Sequence, residues 1–255
     1  MTARVAIVTG GATGIGLATA RALSDSGHRV AIGARSAANP SVVAEVRKHL
    51  GTQVFIHPLD VANRASCDDF VGLVTTALGV PTILVNSAGI YREGFLVDHD
   101  EQDWTDQIEI NLNGAFRMIR AVYPGMVAAG WGRICNIAST AGTKGAPGYA
   151  AYCASKAGLI GLSKATAVEG APVGIACIAV SPTWVETPAM TIAFDRIAAA
   201  RNISLAEARV EIERSNPQGR IVQSGEVAAL IDFFCSDRAP GFTNVDVQIN
   251  AGADW

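Results

Sequence analysis

The chain has 255 residues, 49% of them hydrophobic and 17% charged, with a formal net charge of −3 and five cysteines. This is enough apolar material for a large core, and a mild charge without long runs of one sign excludes a nucleic-acid or acidic-membrane surface as its organising feature. Cys67, Cys135, Cys153, Cys177 and Cys235 are scattered, odd in number and free of any CxxC pair, which argues against a disulfide framework or a zinc site and for a reducing, cytoplasmic home. The N-terminus runs directly into Val5-Ala6-Ile7-Val8, so no secretory leader is expected, and no apolar run is long enough to span a bilayer.

Val5 to Thr9 reads as a short buried strand that ends in Gly10-Gly11-Ala12-Thr13-Gly14-Ile15-Gly16. A helical pattern follows, with Ile15, Ala18, Ala22 and Leu23 on one side. Strand, glycine-rich turn and helix together aim free backbone N–H groups at a pyrophosphate. Glycine serves where the backbone turns tightly and touches the ligand.

The spacing Thr9-Gly10-x-x-x-Gly14-x-Gly16 resembles the cofactor turn of the classical short-chain dehydrogenase/reductase family, and the resemblance runs over essentially the whole chain. It implies that Gly10, Thr13, Gly14, Ile15 and Gly16 surround a nicotinamide dinucleotide. The next strand, Val30 to Gly33, leads to Ala34-Arg35-Ser36. An acid at this strand end binds a ribose 2′-hydroxyl, whereas an Arg accommodates a 2′-phosphate. Ala34 stands where the acid would be, and the Arg35 guanidinium beside it favours NADP over NAD. Thr13 lacks the basic side chain that many NADP-using relatives carry in this turn.

Val54-Phe55-Ile56 reads as the third strand, leading to Leu59-Asp60-Val61. The resemblance places Asp60 and Val61 beside the adenine. Asp60 equally suits the cap of a helix starting near Arg64. Ile83-Leu84-Val85 is a further strand, ending in Asn86-Ser87-Ala88-Gly89. Asn86, Ala88 and Gly89 match the family's cofactor-side turn, while Ser87 replaces a usual Asn and puts one sheet-stabilising hydrogen bond in question.

Trp104 to about Ala129 has helical periodicity, with Asn111 inside it and Pro124 suggesting a kink. Asn is a poor interior helix residue, so Asn111 calls for a reason. The resemblance supplies one, a distorted turn whose Asn supports a proton relay to the lysine; an Asn satisfied by backbone groups is the alternative. Arg133 to Ser139 is a strand ending in Ser139, on the side where open α/β sheets bind ligands.

Thirteen residues after Ser139 comes Tyr152-Cys153-Ala154-Ser155-Lys156, in the helical run from Ala150 to Ala167. Residues four apart share a helix face, so Tyr152 and Lys156 point the same way. A cation beside a phenol lowers its pKa and readies it for proton transfer near neutral pH. The interval matches the family's Ser and Tyr-x-x-x-Lys, which implies Asn111, Ser139, Tyr152 and Lys156 as the catalytic set. Tyr152 and Lys156 also contact the cofactor, and no metal is required. Tyr149, with Cys153 rather than a lysine four residues on, is expected to line the substrate side together with Ser139 and Tyr152.

Ile175 to Val180 is a buried strand followed by Ser181-Pro182-Thr183-Trp184-Val185-Glu186-Thr187-Pro188. Pro182, Val185 and Thr187 match the family's nicotinamide loop, where Thr183 replaces a Gly. Residues 188–215 match its variable substrate lid. Met190 there, together with Trp184 of the preceding loop, implies a substrate with an apolar part. Ser224 to Ser236 reads as a helix with Ser224 as N-cap, and Val245 to Ile249 as the last strand. That strand and Trp255 resemble the subunit contact of tetrameric relatives.

Alternating strands and helices without repeats or linkers predict one α/β domain over 1–255: a Rossmann-type doubly wound parallel sheet with helices on both faces. The resemblance implies hydride transfer between NADP(H) and a ketone or secondary alcohol, in the manner of ketoreductases of the 3-oxoacyl or polyketide type. An NAD-dependent dehydrogenase of the 3-hydroxybutyrate kind is the nearest alternative. A non-catalytic nucleotide sensor, or a lyase or dehalogenase variant without the dinucleotide, would not need the complete set of residues.

Overall fold

Seven strands form one parallel sheet in the computed structural model of the chain, which describes residues 2–253. Trp255, read above as a subunit contact, lies outside them. In chain order the elements begin with β1 (Val5–Thr9), α1 (Gly14–Asp25), β2 (Arg29–Gly33), α2 (Pro40–Leu50), β3 (Phe55–His57), α3 (Arg64–Leu78) and β4 (Pro81–Asn86). The middle comprises α4 (Glu101–Ile108), α5 (Gly114–Ala129), β5 (Gly132–Ile137), α6 (Ala150–Gly170) and β6 (Ile175–Pro182). The rest is β7 (Val185–Glu186), α7 (Pro188–Arg201), α8 (Leu205–Ser215), β8 (Val222–Gln223), α9 (Ser224–Cys235) and β9 (Val245–Ile249).

The strand order is β3-β2-β1-β4-β5-β6-β9, and every pairing is parallel. The order reverses between β1 and β4, so a crevice opens beyond their carboxyl ends, where doubly wound sheets bind ligands. Strands buried on both faces need apolar residues throughout, and β1 and β6 are buried at every position. Successive side chains go to opposite faces. Ala6, Val8, Ile32 and Val85 join one cluster with Leu23 of α1, Val46 of α2 and Phe234 of α9. Val5, Ile7, Ala31 and Leu84 join the other with Phe70 of α3, Met118 and Val122 of α5, and Ala167 of α6. Truncating a fully buried ring such as Phe70 or Phe234 to Ala costs about 3–5 kcal/mol.

Four local expectations are corrected. Asn63, not Asp60, caps α3 by accepting from the Ser66 N–H, while Asp60 accepts from Ala62 in a tight turn. The helix expected from Trp104 to Ala129 is three segments, α4, a π turn at Glu109–Asn113, and α5, which continues past Pro124. Ser224 is the first residue of α9 rather than its cap. The Glu226 carboxylate accepts from the Gln223 N–H at 2.8 Å, and the Ser224 hydroxyl donates to the Glu186 carbonyl. The third strand is shifted by one residue to Phe55–His57. None of the helices among the described residues is long and apolar enough to cross a membrane.

Candidate active site

The glycine turn is shaped by close approach. Gly10 has φ of 65°, and a Cβ there would stand 2.8 Å from the Ala88 backbone. A Cβ at Gly16 would stand 2.9 Å from the Gly10 carbonyl carbon and nearer still to its oxygen, so the first turn of α1 fits under the loop only with glycine. The Thr9 hydroxyl accepts from the Ser87 and Ala88 N–H groups at 3.2 and 3.1 Å, tying the ends of β1 and β4 together. Asn86 adds a second tie, donating to the Asn136 side chain at 2.8 Å.

Beside this turn lies a cavity of about 360 Å³ lined by Gly10, Thr13, Ala34, Arg35, Asp60, Val61, Ala88 and Gly89, among others. A larger open groove runs along the outside of α2, lined by Ala37, Ala38, Pro40 and Val43 among others, and shares none of these residues. The glycine cradle, the N-terminus of α1 and the cavity fit the adenosine and pyrophosphate part of a dinucleotide. Gly14 and Ile15 begin α1, with Thr13 at its N-cap position. Arg35 is exposed at the cavity, and Ala34 is buried. The nearby Asp106 carboxylate is held below its usual range, chiefly by hydrogen bonds from Gln102 and Arg92.

Ser139 follows β5 and Tyr152 lies in the first turn of α6. The Ser139 hydroxyl accepts from the Ala141 N–H at 3.2 Å, which orients it. Burial pushes the Tyr152 phenol up to about 12, with a partial offset from the neighbouring Ser139 hydroxyl. The direction is opposite to that expected from a neighbouring cation. Lys156 is 5% exposed, donates to the Ile137 carbonyl at 2.7 Å, and has its Nζ 5.5 Å from the Tyr152 ring centroid. Desolvation lowers the ammonium itself to about 8, and its charge does not counter the burial of the phenol.

Asn111 lies in the π turn and is buried. Its Oδ1 accepts from the Ile90 N–H at 2.8 Å, and its Nδ2 donates to the Ile90 carbonyl and the Ser155 hydroxyl. The side chain therefore clamps the loop after Gly89 onto α6. A Cβ at Gly89 would come within 3.2 Å of Asn111 Oδ1 and 3.7 Å of Lys156 Nζ, which places both beside this loop.

Farther along the chain, Pro182 ends β6 and Val185 belongs to β7, which pairs in parallel with β8. Thr187 reaches across to the glycine turn, where a Cβ at Gly14 would meet its Cγ2 at 3.2 Å. The Thr183 hydroxyl is buried with no hydrogen-bond partner among the described residues. Met190 is buried with Phe194, Ile212 and Ile221, and Trp184 packs against that cluster, so Met190 contributes first to the interior of the α7–α8 unit.

Sequence reasoning missed Tyr91. Its ring stacks on Tyr149 with centroids 4.9 Å apart and meets Tyr152 edge-on at 5.3 Å. It also missed the Arg117–Glu109 ion pair, which lies behind Val61 and accepts Asn113 as a further donor. The Tyr91 contacts have no local signature, because the partner rings come from a different element, whereas Glu109, Asn113 and Arg117 stand four residues apart in one helical run and their spacing could have been read. Among the described residues, no group of three His, Cys, Asp or Glu is placed to hold a metal ion.

Comparison with known proteins bears on the family and the fold. The family model for short chain dehydrogenases matches residues 4–197. A Streptomyces virginiae protein named as the monensin polyketide synthase ketoacyl reductase is 39% identical over 98% of this chain and 97% of its own length. The D-beta-hydroxybutyrate dehydrogenase of Cupriavidus necator is 33% identical over 92% of each chain. A crystal structure of a single-substitution variant of actinorhodin polyketide ketoreductase with NADPH superposes with a TM-score of 0.93 at 35% identity, covering 98% of this chain and 97% of that one.

Proposed function

Because the chain belongs to the short-chain dehydrogenase family, whose reaction is hydride transfer between a nicotinamide dinucleotide and a carbonyl or alcohol carbon, we propose that it is an NADP-dependent ketoreductase with Tyr152 as its general acid and base. The observation that carries this reading is Tyr152 in the first turn of α6, with Ser139 beside its phenol and the buried Lys156 one turn on, at the carboxyl edge of the sheet. The bound dinucleotide supplies or accepts the hydride. Every remaining step falls to the protein.

In reduction, the Ser139 hydroxyl donates to the substrate oxygen while its own lone pair holds the Ala141 N–H. Tyr152 gives its proton to that oxygen as negative charge develops there. A phenol raised to about 12 is fully protonated at neutral pH, which suits this direction. Lys156 adds a positive field at the same place and offers donors to the nicotinamide ribose, with Asn111 holding the loop that completes the proton path. Asp60 and Val61 would receive the adenine; Gly10, Thr13, Gly14, Ile15 and Gly16 the pyrophosphate; and Asn86, Ala88, Gly89, Pro182, Val185 and Thr187 the nicotinamide half.

NADP is favoured over NAD by Ala34 in place of an acid and by the exposed Arg35 beside the cavity. The substrate is a ketone with an apolar part, such as a β-keto acyl group, approached from the side of Tyr149, Trp184 and Met190. We read 1–255 as one domain with 188–215 as the lid. A homotetramer is supported by β9, an edge strand bonded only to β6 among the described residues. The free cysteines suit a cytoplasmic location.

The test is NADPH- and NADH-dependent reduction of ethyl acetoacetate by the wild type and Tyr152→Phe. Turnover that prefers NADPH and falls by about 10²–10⁴-fold in the variant is expected. Wild-type turnover in Tyr152→Phe would refute the assignment, and a preference for NADH would refute the role of Arg35.

A further inference from the structure

We propose that Tyr91 is a specificity-determining residue, whose ring walls off one flank of Tyr152 and limits the enzyme to ketones with a narrow substituent on that side. The proposal rests on the ketone-reductase reading of this site.

Tyr91 meets the Tyr152 ring edge-on at 5.3 Å, so that flank of the proton donor is already covered by an aromatic ring. Tyr149, stacked on Tyr91 at 4.9 Å with ring planes 26° apart, extends the cover away from the donor. A carbonyl that reaches both Ser139 and Tyr152 must direct any bulky group away from this pair, or displace it.

Displacement is resisted from several directions. The segments that carry the two rings are joined by the Gly94–Tyr149 bridge and by the Gly94 N–H donating to the Gly148 carbonyl at 3.0 Å. The Tyr91 hydroxyl donates to Glu93 Oε2 at 3.3 Å. Arg196, from α7, places its guanidinium carbon 5.7 Å from the Tyr91 centroid and pairs with the same Glu93 oxygen at 3.7 Å. The lid thus bears directly on the wall. Burial holds the Tyr91 phenol well above its ordinary range, so its hydroxyl remains a neutral donor throughout the working pH range.

The experiment compares kcat/KM for 1-tetralone and ethyl acetoacetate in the wild type, Tyr91→Ala, Tyr91→Phe and Arg196→Ala. Tyr91→Ala is expected to raise the tetralone-to-acetoacetate ratio by about tenfold or more, within the range that pocket shape commands. Tyr91→Phe, which keeps the ring, should stay near the wild-type ratio, with Arg196→Ala between them. A Tyr91→Ala ratio within about twofold of wild type overturns the proposal. If Tyr91→Ala does not fold, Tyr91→Leu replaces it under the same criterion. If the wild type reduces neither ketone, the ketone-reductase reading fails, and calorimetric titration of 1-tetralone into protein saturated with NADP decides the wall separately. Binding about tenfold tighter to Tyr91→Ala upholds it, and equal binding overturns it.

Discussion

Lys156 Nζ donates to the Ile137 carbonyl at 2.7 Å, and this bond holds a buried ammonium at the end of β5, 5.5 Å from the Tyr152 ring centroid. A charge desolvated to this degree opposes folding. The folded pKa of about 8 lies below the ordinary 10.5, so the unfolded chain binds the extra proton between those values. The penalty is fully present below about pH 8 and is relieved as pH rises towards 10.5.

Lys156→Met is therefore expected to lose activity yet be more stable than the wild type at pH 7. The fall from 10.5 to about 8 corresponds to about 3 kcal/mol, and loss of the bond to Ile137 returns about 1 kcal/mol of it. Melting curves between pH 7 and 10.5 check this. The advantage of the variant should shrink steadily with rising pH, and a variant less stable at pH 7 would contradict the argument.

Arg35→Ala should weaken NADPH binding by about 10–100-fold, the value of one or two charge-assisted hydrogen bonds, and leave NADH binding within about twofold. Arg35 is exposed, so the fold should be unaffected. Fluorescence titration with the two nucleotides measures the difference. An equal loss for both would move Arg35 away from the 2′-phosphate.

Asn111→Ala removes a side chain that satisfies both backbone groups of Ile90 and the Ser155 hydroxyl. Each buried group left unpaired costs about 1–3 kcal/mol, so a loss of about 2–4 kcal/mol is expected in urea unfolding. A variant with unchanged stability and lost activity would show that the relay, rather than the clamp, is its main role.

Two glycine substitutions should act in opposite directions. Gly16→Ala sets a Cβ against the Gly10 carbonyl group, 2.9 Å from its carbon, and should abolish dinucleotide binding. Gly161→Ala, in the exposed middle of α6, meets nothing within 4 Å and should stabilise the protein by about 0.5–1 kcal/mol. Nucleotide titration and thermal melting of both variants provide the comparison.

Local patterns carried most of the fold and the outline of the site. Apolar runs set the strands, glycine spacing marked the tight approach of α1 to β1, and the four-residue interval placed Tyr152 and Lys156 on one helix face. Family resemblance then supplied Ser139, Asn111 and their roles. Each of these features is written within a few neighbouring residues or in a known interval. The tertiary structure alone decided that Tyr91 would meet Tyr152, that Glu93 and Arg196 would brace it, and that Asn111 would grip Ile90 and Ser155. It also set the direction of the Tyr152 shift, since a cation four residues away is a sequence fact, whereas the solvent lost by phenol and ammonium together depends on every element packed around them. Contacts between distant segments, and the desolvation those contacts impose, have no local periodicity from which they could be read.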